Sequence, residues 1–159
     1  MRDVTNRVGL RPPSLYRHVK DKQSFYYECS RRSWTRLLDG AKSAIATCEC
    51  IRRSVKVNIC LARPYETALL QSKLKNLALH HRRRITRKQD EYRSLWLSVL
   101  HVGIARSIFK VEDPKVIFLG IIGALNYVEH WFDPSGRLSR VQIANMFSQW
   151  MLQSLGHKF

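Results

Sequence analysis

Apolar residues recur at helical spacing along most of this chain, and no run of them alternates between turn residues as a strand would, so the fold class is all-α. Val4 and Val8 stand four apart on one short helix, and Gly9 follows where a turn tolerates positive φ. Pro12 and Pro13 suit the first turn of a second short helix, filled by Ser14 to His18. Asp21 is placed to cap a long third helix. That helix carries Phe25, Cys29, Trp34, Leu37, Leu38, Ala41, Ala44, Ile45 and Cys48 as a stripe and reaches about Ala46 or Cys48. The pattern then weakens: Val55, Ile59 and Leu61 suggest one helix, Pro64 a break, and Tyr65, Leu69, Leu70, Leu74 and Leu77 another. A longer helix follows or includes the basic run His80 to Lys88, carrying Ile85, Tyr92, Leu95, Trp96, Val99, Leu100, Gly103, Ile104 and Phe109. Asp113 and Pro114 cap and open the next helix, which extends to Trp131 or Phe132. Asp133 to Gly136 is a turn, Ser139 with Gln142 a capping box, and Leu138 with Ile143 its hydrophobic staple. Ile143, Met146, Phe147, Trp150, Met151 and Leu155 line the last helix, which Gly156 ends.

A length of 159 residues allows one or two small domains with a real core. The polar N-terminus has no signal-peptide pattern, and the longest apolar run, Val116 to Leu125, is too short to span a bilayer and holds two glycines. A buried helix, in a soluble cytoplasmic protein without a membrane partner, fits that run better. Cys29, Cys48, Cys50 and Cys60 lack zinc-ligand spacing and read as buried reduced thiols.

The net charge of +16 is unevenly spread. Residues 1–36 carry +6, residues 37–50 carry −1, residues 51–110 carry +11, and residues 111–159 are neutral. A basic N-terminal part fits a polyanionic partner, and a neutral C-terminal third does not oppose self-association. Within the N-terminal part, Val4 to Phe25 has the layout of a helix-turn-helix DNA reader: helix, Gly turn, and a second helix rich in Arg, His, Tyr and Ser. Arg11, Pro12, Pro13, Ser14 and Arg17 are placed to face a DNA groove, with Tyr16, His18 and Lys22 at phosphate positions, or with Tyr16 and His18 only packing the small domain.

The stretch GLRPPSLYRHVKDKQSF resembles the DNA-binding domain of the tetracycline-repressor (TetR) family of transcription regulators, matching at Gly9, Leu10, Leu15, Tyr16, His18 and Lys22, with Val19 in a Phe position. Arg11 stands where the family often has a Ser or Thr cap, and the resemblance implies a further helix ahead of Val4. Residues Val111 to Gly156, above all NYVEHWFDPSGRLS, resemble the last two helices of the same family at Asn126, Tyr127, Trp131, Phe132, Gly136, Arg137, Leu138 and Ser139.

The resemblance implies a DNA-binding head over residues 1–28, a ligand-binding and dimerisation domain over 29–159, and a four-helix bundle formed by the last two helices of two copies. Ile143, Met146, Phe147, Trp150, Met151 and Leu155 are then the dimer-interface residues. Trp96, Leu100, Ile104, Phe118, Ile122, Asn126 and Trp131 lie on helices that enclose the family's pocket. Asn126 and His130 either face that cavity together or divide, with Asn126 satisfied in the core and His130 at the dimer seam.

The expected function is a ligand-responsive regulator, a repressor of the usual family kind, that binds a palindromic operator in double-stranded DNA as a homodimer. Its effector is a small molecule. The run His80 to Lys88 offers charge for the phosphates of an acyl-coenzyme A, for DNA, or for solvent alone. The competing reading is a dimerisation or small-molecule-binding module without DNA-binding activity. No nucleophile elbow, phosphate-binding loop or metal motif argues for an enzyme, and no cofactor is expected.

Overall fold

The computed structural model describes residues 21–45 and 77–156, and these form four helices and no strand. They are α1 (Lys22–Ile45), α2 (Leu79–Ala105), α3 (Pro114–Trp131) and α4 (Arg140–Ser154). The all-α expectation holds for them. The two short helices expected before Asp21, and the elements expected between residues 46 and 76, lie outside the described residues.

The predicted helix starts are found. Asp21 accepts from the Ser24 N–H at 2.7 Å and from its hydroxyl at 3.1 Å, which also holds the Asp21 carboxyl below the usual carboxylate range. Asp113 accepts from the N–H groups of Lys115 (2.8 Å) and Val116 (3.1 Å), with Pro114 in the first turn of α3. Ser139 and Gln142 form the reciprocal capping box: the Gln142 N–H donates to the Ser139 hydroxyl at 3.4 Å, and the Ser139 N–H donates back to the Gln142 side chain at 2.9 Å. Gly156 closes α4 at φ +73°, the left-handed geometry expected just beyond a helix end.

One boundary differs from expectation. Phe109 does not continue α2, which ends at Ala105. The chain reverses through Ser107, at φ 56°, and the N–H groups of Ile108 and Phe109 both donate to the Gly103 carbonyl at 2.8 and 3.1 Å. The reversal brings Phe109 back into the core, and the next residue, Lys110, donates to the Leu155 carbonyl at the end of α4 at 2.9 Å.

The core is one cluster. Leu37, Leu38 and Ala41 of α1 meet Tyr92, Trp96, Val99 and Leu100 of α2. Phe118, Ile121, Leu125 and Val128 of α3 join Ile143, Ala144, Met151 and Leu152 of α4. Leu100, Leu125 and Met151 are fully buried, each stabilising the fold by roughly 1.5–3 kcal/mol relative to exposure. Helices α1 and α2 start at the same end and run side by side. The Ala78 N–H donates to the Gln23 side chain at 3.0 Å, the Tyr27 and His81 rings stack at 4.0 Å, and farther along Lys42 pairs with Glu91 at 2.6 Å.

Candidate functional site

Three surfaces or interiors bear on function. The first is the outer face of α3 and α4. Along α3, Phe118, Ile121, Leu125 and Val128 point into the core at i, i+3, i+7 and i+10. On its other side Val116, Leu119, Tyr127 and Trp131 are exposed, Leu119 at 56% and Tyr127 at 63%. Between them Gly120 and Gly123 have open space where a side chain would stand. A helix that is apolar all round normally lies inside a larger assembly, and the described residues cover only one side of it. The expectation that Val116 to Leu125 is buried therefore holds for half of the helix circumference.

Helix α4 divides in the same way. Of the six residues expected at an interface, Ile143, Met151 and Leu155 are buried in the chain's own core. Met146 and Trp150 are exposed, Trp150 at 52%, and Phe147 is half-buried between them. Trp131 stacks on Phe147 at 6.2 Å, and Phe147 meets Trp150 edge-on at 5.9 Å, so these rings join the outer faces of α3 and α4. His130 is exposed and stacks on Tyr127 at 4.8 Å. Asn126, one turn earlier on the same helix, is half-buried.

The second is the interior among α1, α2 and α3. Trp96, Leu100 and Phe118 are buried, while Ile104, Ile122 and Asn126 are half-buried. These six of the seven expected pocket residues are at least partly inside. Trp131, 48% exposed on the outer face, is not among them. Sequence reasoning left Trp34 out of this group. Its ring meets Tyr92 at 5.8 Å, and Tyr92 meets Trp96 at 6.3 Å. The buried indole N–H groups of Trp34 and Trp96 have no hydrogen-bond acceptor among the described residues. Buried indole N–H groups usually find one, so an apolar wall with two unanswered donors suits a ligand that brings an acceptor. The only advance signal for Trp34 was its place on the α1 stripe.

The third is the end where α1 and α2 both begin. Of the expected DNA-contact residues, Arg11, Pro12, Pro13, Ser14, Tyr16, Arg17 and His18 lie outside the described residues. Lys22 is the first residue of α1. Glu28 on α1 accepts from Arg31 at 2.7 Å and Arg32 at 2.8 Å, and these hydrogen bonds hold its carboxyl down to about 2. Arg31 and Arg32 are thus paired on a largely solvated face. His81 is pushed below the ordinary imidazole value by burial first, then by the charges of His80 and Arg84, with Asp21 opposing. Cys29 is half-buried and not in a disulfide, and no cluster of three or more metal-ligating side chains occurs among the described residues. No described helix is long and apolar enough to cross a membrane.

Comparison with known proteins agrees with this architecture. Residues 50–155 match the family described as tetracyclin repressor-like, C-terminal domain. The HTH-type transcriptional repressor KstR2 of Rhodococcus jostii is 22% identical over 165 residues, spanning 98% of this chain and 80% of that protein. The ketosteroid transcriptional regulator KstR2 of Mycobacterium tuberculosis has a similar fold, with a TM-score of 0.87 at 19% identity over 99% of this chain and 84% of that one. AibR, solved in complex with isovaleryl coenzyme A and operator DNA, aligns with a TM-score of 0.78 at 17% identity over 99% of this chain and 86% of that one.

Proposed function

The chain belongs to the TetR family of transcriptional regulators, and on that premise we propose that it is a cytoplasmic, homodimeric repressor that binds a palindromic operator and releases it when a small molecule binds. The observation that carries the dimer is the outer face of α3 and α4. Leu119, Tyr127, Trp131, Met146 and Trp150 make an exposed apolar surface, and Gly120 and Gly123 let another backbone approach closely. A second copy related by a two-fold axis would cover it with the same residues and complete a four-helix bundle. The neutral charge of residues 111–159 favours that contact.

The head is residues 1–28 and the effector and dimer domain residues 29–159. Helix α1 crosses that boundary without a break. A shift of its far end, where Lys42 and Leu38 meet α2, would therefore move the head. Two heads held by one dimer seam match two half-sites one DNA turn apart. The effector binds between α1, α2 and α3. An apolar body against Leu100 and Phe118, with a carbonyl accepting from Trp34 or Trp96, fits an acyl thioester such as an acyl-coenzyme A. To act, the effector must bind the released head spacing more tightly than the DNA-bound one.

The reading is tested by light scattering and by mobility shift on the DNA upstream of the chain's own gene, with unrelated duplex as competitor. The expected result is a dimer that prefers the upstream duplex and lets go of it on addition of an acyl-coenzyme A. A well-folded dimer that shifts no duplex at any salt would leave only a dimerisation or small-molecule-binding module.

A further inference from the structure

We propose that the first two turns of α2 form a second DNA-contacting surface, separate from the reading head, which holds backbone phosphates beside the operator. The inference rests on the regulator reading above. Residues 79–89 contain five Lys or Arg and no acid. His80, Arg83, Arg84 and Arg87 stand at i, i+3, i+4 and i+7, so they share one helix face. With Leu79 they line an open groove of about 380 Å³.

These arginines have no ion-pair partner among the described residues, whereas four other cations of α1 and α2 do. Arg31 and Arg32 pair with Glu28, Lys42 with Glu91, and Arg93 with Asp90. Among the described residues no carboxylate pairs with Arg82, Arg83, Arg84 or Arg87. The helix start adds to the field. α2 has no acid in its first turn, and its cap residue, Ala78, has no capping side chain, so cations stand at the positive end of the helix dipole. Such a cluster is self-repelling until an anion lies against it.

Position selects the anion. The Gln23 bond to Ala78 and the Tyr27–His81 stack fix this end of α2 to the start of α1. Residues 1–20 join the described fold at that same point, so the patch sits at the head end of the molecule. The proposed effector interior lies the other way: Trp96 is nine residues beyond Arg87, roughly 13 Å along the helix. From His80 to Arg87 the cationic face extends roughly 10 Å, enough for about three phosphates of one strand. Phosphate holding of this kind adds affinity and salt dependence without reading sequence.

The test compares the full chain with R83Q/R84Q/R87Q and R83K/R84K/R87K variants. Each is titrated into two labelled duplexes, the upstream DNA of its own gene and an unrelated duplex of equal length, over a series of salt concentrations. Equal melting temperatures and dimer masses establish that the variants fold. The Gln variant is expected to bind both duplexes at least about tenfold more weakly, with its log-affinity against log-salt slope shallower by about 2–3, close to 0.9 for each phosphate no longer neutralised. Its preference between duplexes stays as in the parent, and the Lys variant keeps the parent slope. An unchanged slope in the Gln variant overturns the proposal. So does a weakening confined to the upstream duplex, which would make these residues sequence readers. An unchanged slope with weakened binding of free coenzyme A would assign the cations to the effector instead. If the parent binds both duplexes equally, the operator reading fails while this surface stands. If it binds neither at any salt, both fail.

Discussion

The Phe109 ring occupies the space in which a side chain on Gly103 would stand. Ala105 ends α2, Ser107 turns the chain back, and the ring closes over the bare backbone of the helix it has just left. A Cβ at residue 103 would overlap that ring, and Phe109 is held in place by the Lys110 bond to Leu155 next to it. Gly103→Ala is therefore expected to destabilise the fold by about 1–3 kcal/mol, the usual cost of overpacking. Alanine's better helix propensity offsets at most about 1 kcal/mol of this. Chemical denaturation measures the change, and adding Phe109→Leu should restore part of it. A Gly103→Ala protein as stable as the parent would mean that the ring moves aside freely.

The fit of Phe109 over Gly103 also marks the limit of what sequence can say. The caps at Asp21, Asp113 and Ser139 were legible because each is a local bond between residues three apart or fewer. The end of α2 was not, since the chain turns at a serine rather than a glycine and the nearest proline, Pro114, stands nine residues beyond Ala105. Nor could spacing tell which half of α3 this chain covers, because apolar residues stand on both sides. Trp131, named among the pocket candidates because its helix encloses the family's pocket, lies on the outer face with Phe147 and Trp150. The same ambiguity split the expected interface residues, with Met151 inside and Trp150 outside.

His81 makes the joint between α1 and α2 sensitive to pH. It stacks on Tyr27 of α1, and burial together with His80 and Arg84 on its own helix favours the neutral ring, against the pull of Asp21. The folded-state value is thus below the ordinary 6.5, so the unfolded chain binds the proton more readily. The joint is fully stable above about pH 6.5 and loses stability as pH falls through that value toward the lowered one. Glu28 does not contribute in this window, because its carboxyl stays ionised down to about pH 2. Amide exchange at residues 78–82, taken relative to the intrinsic base-catalysed rate that itself slows on acidification, should quicken between pH 7.5 and pH 5. In His81→Phe that acceleration should be largely absent, and its persistence would assign the effect to another group.

The two sides of α4 should respond oppositely to a charge. Trp150→Glu places a carboxylate on the exposed face, where it stays hydrated in a monomer but would be buried against a second copy. The expected outcome is a folded monomer with the parent helix content. Met151→Asp buries the charge in the chain's own core, where Met151 has no exposure, and should unfold the domain at a cost of several kcal/mol. Light scattering with circular dichroism separates the two, and a dimeric Trp150→Glu protein would exclude this face as the seam.

Trp96 is the place to test the effector. Trp96→Phe keeps an aromatic ring in the core but removes a donor that has no acceptor in the described structure. Stability should change by less than the roughly 3–5 kcal/mol that truncating a buried aromatic to alanine costs. Binding of an acyl-coenzyme A, followed by calorimetry, should weaken by about 0.5–1.5 kcal/mol, the net worth of one hydrogen bond. An equal weakening for coenzyme A without the acyl group would place that bond on the nucleotide part of the ligand rather than on its carbonyl.

Arg17 separates reading from holding. The sequence pattern predicts for it a place on the second helix of the proposed head, where a guanidinium can pair with the two acceptors of one guanine. Arg17→Ala is expected to weaken binding to the preferred duplex by about 1–3 kcal/mol and to relax the choice of base at one position of each half-site. Binding to unrelated DNA should fall much less. The salt slope should also shift little, since the bond removed is to a base and not to a phosphate. Half-site variants in which a single base pair is changed give the measurement. If Arg17→Ala weakens every duplex equally, Arg17 contacts the backbone, and sequence choice must come from the other groove candidates, Arg11 and Ser14 first.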